Sequence, residues 1–342
     1  MKKYLLYNLK QGFLRTVILS FLFFSLVLWA IPETSAPYES PEGILHYAGS
    51  DTGLFVLSIF IGIAAFICPT FQLTPFKNKR NVDTLYSMPI SREKMAAVHY
   101  ISGLIEMAVM FTISFVFTYV YLSLSTDWFD LSYMPLYYLS AIAAGIVIYS
   151  IVSFLFQKAN SDGDGLIICC LWIFAVFVAA TATVNTVFEL MNKDPNQFEN
   201  ITNHWLYLFS PLNNLTVLFQ DAIEINKTNL NVYHQTYVKS WYMFVLWAFA
   251  GILAAYGYFK TFVCSRADKA GELTTTWWGY KLLIPLFGYS FLAIIENDYD
   301  AIAIIMTYIA MYLGYAIYRR SFKIKKADVI CLAAGIIPLV FL

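Results

Sequence analysis

The chain has 342 residues, of which 59% are hydrophobic, 18% aromatic and only 13% charged, and its formal net charge is zero. Soluble domains carry about a quarter of their residues as charged groups, so this composition excludes an ordinary globular enzyme and predicts an all-α polytopic membrane protein. No basic patch exceeds what membrane orientation requires, which excludes nucleic acid as a partner.

The first residues, MKKYLLYNLKQGFLRT, put Leu5, Leu6, Leu9 and Phe13 on one side of a helix and Lys3 and Lys10 on another, predicting an interfacial helix over residues 2–11. A basic head followed by Thr34-Ser35-Ala36 also resembles a cleavable signal peptide. Positive charge persists to Lys10 and Arg15, however, and nearly a full span follows, so a retained first helix is the simpler reading. Crossing roughly 30 Å of hydrocarbon takes about 20 mostly apolar residues. Runs of that kind lie near residues 12–31, 54–74, 97–122, 135–157, 165–190, 238–260, 281–296, 301–318 and 329–342. The seventh and eighth are shorter and share the connection Glu296-Asn297-Asp298-Tyr299-Asp300; the ninth has fourteen residues.

Between the second and third runs stands FKNKRNVDTLYSMPISREKM, Phe76 to Met95. Lys77, Lys79 and Arg80 are placed to hold the end of the second span at an anionic inner leaflet. Asn81 is a cap for a short helix in which Val82, Leu85 and Tyr86 form one apolar stripe. Pro89 stops that helix, and Ser91 caps the next with Glu93 in its first turn. A short amphipathic helix, with its stripe open to lipid headgroups or another protein, is the expected result.

Glu106 is the ionisable side chain well inside the third run, where burial of a carboxylate costs several kcal/mol unless it is paired, protonated or wet. Structural pairing and a place on a translocation path are both open to it. Asp162-Gly163-Asp164-Gly165, before the fifth run, is a fragment of a calcium loop without the later ligands, and reads as a solvated tight turn. Residues 201–222 hold two apolar clusters broken by Ser210-Pro211, neither long enough to cross, which predicts an extracellular helical hairpin on the membrane surface or a partial re-entry, with a plain extracellular loop as the alternative. Ser265-Arg266-Ala267-Asp268-Lys269-Ala270-Gly271-Glu272 follows the sixth run.

With the N-terminus in the cytoplasm, nineteen of the twenty-two lysines and arginines fall on the cytoplasmic side, leaving only Lys193, Lys227 and Lys239 outside. That is the asymmetry expected of a multi-pass protein of the cell membrane. Five cysteines show neither CxxC pairs nor metal-ligand spacing, so no metal site is expected. The four histidines are scattered over different connections. The chain has no GxxxxGK(S/T) phosphate loop, no GxGxxG before a helix, no HExxH and no GxSxG, so it is expected to bind no nucleotide cofactor and to perform no bond chemistry.

The run Lys79-Arg80-Asn81-Val82-Asp83-Thr84-Leu85-Tyr86-Ser87-Met88-Pro89-Ile90-Ser91-Arg92 resembles the KR-x-VD-x-x-x-S-(L/M)-P-(I/V)-x-R segment of bacterial type-2 ATP-binding-cassette (ABC) exporter permeases. The stretch after the sixth run resembles that family's R-x-x-E-x-A-G, departing by Asp268 for glutamate and by a one-place shift of the arginine. The resemblance implies a six-span permease core over residues 1–262, with a cytoplasmic connection and two to three further spans in 263–342. It also implies a coupling helix that docks on a separate cytoplasmic ABC ATPase, and pairing of two identical or related permeases. Asn81, Val82, Asp83, Leu85, Tyr86, Met88, Pro89 and Arg92 would then be the docking contacts or anchors, Glu106 a candidate for the translocation path, and an amphipathic molecule the exported cargo. The alternatives are a channel or the membrane component of a sensing complex without ATP-driven transport, and a membrane enzyme, for which Glu106 has no evident catalytic partner.

Overall fold

The computed structural model describes residues 2–30, 37–39, 45–47, 50–125, 134–190, 234–265, 270–272, 274, 276–295, 301–319, 322–323 and 329–330. The hairpin expected over 201–222 and all but the first two residues of the ninth run lie outside them. The described residues are mostly helical, with short connecting turns and one antiparallel ribbon, β1 (Pro37–Glu39) with β2 (Leu45–Tyr47), which sets Tyr38 opposite His46. Among the described residues, five stretches are long and apolar enough to cross a membrane: Lys2–Leu26, Val56–Phe76, Arg92–Tyr121, Met134–Lys158 and Val245–Cys264.

The chain forms two compact units, one of residues 1–75, 83–154 and 211–265, the other of 76–82, 155–210 and 266–342.

In the first unit, α1 (Lys2–Ala30) and α2 (Ser50–Leu73) pack along α4 (Arg92–Ser125) and against each other. The core joins Leu57, Ile61, Ala64 and Ala65 of α2 to Met107, Met110, Phe111 and Phe115 of α4 and to Tyr137 and Ala141 of α5 (Met134–Lys158). Lipid tails are as apolar as these side chains, so close packing and hydrogen bonds hold the helices together. Ser58 and Tyr137 share a hydroxyl contact at 2.8 Å, and Thr112 and Tyr138 one at 2.7 Å. Thr16, Ser20, Ser114 and Thr118 donate to carbonyls four residues back, which satisfies their hydroxyls inside the apolar runs.

The separate interfacial helix expected over residues 2–11 is not formed. α1 runs unbroken through 29 residues, about 44 Å at 1.5 Å per residue, enough for the hydrocarbon and one interface. Its first turns are held lengthwise by Tyr4 and Asn8, which meet His99 of α4.

In the second unit, α6 (Asp162–Leu190) packs on α8 (Leu282–Ile295), which also packs on α9 (Ala301–Arg319). Ile168, Ala175 and Leu283 are buried at its centre, and Trp172 donates its indole N–H to the Trp278 carbonyl at 2.7 Å.

Candidate functional site

The helix expected after the second span forms as α3 (Lys79–Tyr86). Its cap is Asn78 rather than Asn81: Asn78 Oδ1 accepts the Arg80 N–H at 3.1 Å, and its carbonyl accepts the N–H groups of Asn81 and Val82 at 3.1 and 3.0 Å. Asn81 stands exposed in the first turn. Three sequence positions separate the two asparagines, and only the earlier one leaves the first turn free to close. At the other end, Ser91 occupies the cap position of α4, with its carbonyl accepting the Met95 N–H at 3.0 Å.

Of the expected docking stripe, one member is closed off and the others are partly open. Val82 is 1% exposed and offers a partner no surface, while Leu85, Tyr86 and Met88 are half-buried. The face left to solvent carries Lys79, Arg80, Asn81, Asp83, Thr84, Ser87 and Pro89.

Each end of this segment is tied to the C-terminus of a spanning helix, where unpaired carbonyls and the helix dipole favour a cation. In the second unit, Lys77 donates its ammonium to the carbonyls of Gln157, at 3.2 Å, and of Ala159, and its charge lies over the Phe156 ring. Lys77 is 6% exposed, so it does not reach the leaflet as expected. Burial pushes its ammonium down to about 7, against the pull of nearby Asp162. In the first unit, Arg92 donates to the carbonyls of Ser265, at 2.7 Å, and Val263, at 3.3 Å, at the end of α7 (His234–Cys264). The Arg92 guanidinium also covers the Tyr86 ring at 4.5 Å, and the Tyr86 hydroxyl meets Ser265 Oγ at 2.8 Å. Tyr86 and Arg92 thus hold the helix end in place.

Glu106 is 3% exposed, and its carboxylate is turned against α1 and α2 rather than toward open space. Oε2 accepts Arg15 Nη2 at 2.6 Å, and Oε1 accepts Gln72 Nε2 at 2.8 Å. Arg15 itself lies over the Phe71 ring at 4.8 Å. Gly12 makes the approach possible, since a Cβ there would collide with the Glu106 carboxylate. Beyond Gln72 the chain of bonds continues: its Oε1 accepts His99 Nδ1 at 3.2 Å, which leaves Nε2 to accept the Tyr4 hydroxyl at 2.9 Å. Sequence alone does not join Arg15 to Glu106, because the two lie 91 positions apart in different apolar runs.

Asp162-Gly163-Asp164-Gly165 is not a solvated turn. It is the first turn of α6, and Asp164, 9% exposed, is fully engaged with residues more than a hundred positions away.

No curated protein matches the chain. A family model described as ABC-2 family transporter protein matches residues 42–219, just over half of the chain, taking in α2 through α6 and with them α3 and its ties to Gln157 and Ala159. Members of such a family are membrane components that work with an ATPase in a bilayer. The apolar helices, the short capped helix between the second and third spans and this match together place the chain in the ABC-2 family of transporter proteins.

Proposed function

We propose that the chain is the permease subunit of an ABC exporter of the cell membrane, with a cytoplasmic N-terminus, driven by a separate ATPase that docks on α3. The observation that carries this is α3 itself. A short helix with a solvent-facing polar side is fixed at one end to the C-terminus of α5 through Lys77, and at the other to that of α7 through Tyr86 and Arg92. A push on such a helix is passed to two spanning helices at once.

The docking face consists of Asn81, Asp83, Thr84, Ser87 and Pro89, with the exposed edges of Leu85 and Met88; buried Val82 supports it from beneath, and Tyr86 and Arg92 fix its end. Lys79 and Arg80 occupy the first turn, where the helix dipole disfavours cations, so an anionic counterpart on the ATPase complements them. Two permeases, identical or related, pair around a cavity. ATP binding draws the two ATPases together and switches the opening of that cavity toward release of an amphipathic cargo. Six spans form the core and the C-terminal spans are added to it. Glu106 holds α1 to α4 and stands off the cargo path.

The test uses variants on the exposed face. Asp83→Lys with Thr84→Arg is expected to abolish co-purification of the ATPase and ATP-dependent transport, while leaving membrane insertion intact. Wild-type co-purification and transport by this variant would overturn the docking assignment.

A further inference from the structure

The turn at Ala270–Glu272 is fixed with more bonds than a connecting loop needs, and they converge on the loop that also holds the root of α3. Asp164, nearly buried, accepts the Thr274 N–H at 3.0 Å, the Thr274 hydroxyl at 3.1 Å and the Tyr280 hydroxyl at 3.2 Å. Burial and the Asp164 carboxylate push the Tyr280 phenol up to about 12, so it stays a donor. Asn160 contributes a carbonyl to the Gly271 N–H at 2.7 Å and its own N–H to Thr274 Oγ1 at 3.1 Å. The Tyr318 hydroxyl of α9 donates to the Thr274 carbonyl. Thr274 is wholly buried, and Ala270 nearly so.

What this latch presents outward is small and polar. Gly271, at φ +78°, makes the turn in a conformation that other residues rarely adopt, and together with Glu272 it is exposed. A side chain at Gly271 would point at the Lys79 aliphatic stem, 3.8 Å away. Lys77, two residues earlier, is held by the carbonyls of Gln157 and Ala159. The junction of α5 and α6, residues 157–164, therefore fastens both the root of α3 and the turn at Ala270–Glu272 with Thr274, all within one compact unit.

From this common fastening we infer that Gly271 and Glu272 form the second half of the ATPase seat, continuous with Lys79 and Arg80 at the start of α3. The inference rests on the docking role proposed for α3. A membrane surface is the poorer occupant, because the exposed Gly271 and Glu272 bring no apolar side chain of their own and Glu272 is repelled by anionic headgroups. A protein surface with both charge signs suits the alternation of Lys79, Arg80 and Glu272.

Photo-crosslinking amino acids placed singly at positions 84, 272 and 21 in the full chain, in cells of the source organism, test it. Phe21 is a highly exposed residue of an apolar helix and serves as the control. Positions 84 and 272 are expected to capture the same protein, one whose identified sequence carries a GxxxxGK(S/T) loop, with yields about tenfold above position 21; Glu272→Lys should weaken co-purification of that protein by about tenfold with membrane levels unchanged. Capture at 84 but not at 272, with Glu272→Lys co-purifying normally, overturns the second half of the seat and leaves α3 docking intact. Capture of such a protein at neither position overturns the docking role itself.

Discussion

Arg15→Met removes the ionic partner of Glu106. The carboxylate is 3% exposed and has two bonds, to Arg15 at 2.6 Å and Gln72 at 2.8 Å, so the substitution leaves a buried charge with one neutral donor. Removing one partner of a buried pair costs about 3–5 kcal/mol. Arg15 is itself 28% exposed and the abandoned carboxyl can take up a proton, both of which favour the lower end, about 3 kcal/mol. Glu106→Gln keeps the packing and leaves Arg15 access to water, a loss of about 1–2 kcal/mol. The double variant should cost no more than Glu106→Gln alone, a coupling of about 3 kcal/mol, measurable by reversible unfolding with SDS in mixed micelles. Additivity of the two single losses to within about 0.5 kcal/mol would refute the ion pair as the bond between α1 and α4.

Asn78→Ala should destabilise α3 by about 1 kcal/mol and speed hydrogen exchange of its first-turn amides, whereas Asn81→Ala should change either by less than half as much. Lys77 has a lower pKa in the folded chain than its ordinary 10.5. The folded state therefore binds fewer protons between about pH 7 and 10.5, and stability relative to Lys77→Met should rise with pH across that window and level off below it. Thermal unfolding in detergent at several pH values reads this; a flat difference would place the ammonium in water. Glu106→Gln should retain transport in proteoliposomes, and its loss with the fold intact would return Glu106 to the cargo path.

The spans were readable because a bilayer demands long apolar runs, and α2, α4, α5 and α7 fall where hydropathy puts them. Pro89 and Ser91 marked the end of α3 and the start of α4 through local backbone chemistry. What escaped were bonds between distant residues. Lys77 looked like one more basic residue at a membrane edge until its fold supplied the carbonyls of Gln157 and Ala159. Asp164 looked like a turn residue because its partners, Thr274 and Tyr280, come more than a hundred residues later. Periodicity put Val82, Leu85 and Tyr86 on one stripe of α3, yet it cannot tell a face that awaits a partner from one already covered, as Val82 is.

ATP hydrolysis by the partner ATPase, reconstituted in proteoliposomes with this chain or with its Asp83→Lys, Thr84→Arg variant, probes the coupling role of α3 most directly. Hydrolysis should rise with the wild-type chain and return to the level of the ATPase alone with the variant. Equal stimulation by both chains, or none by either, would contradict energy transfer through α3.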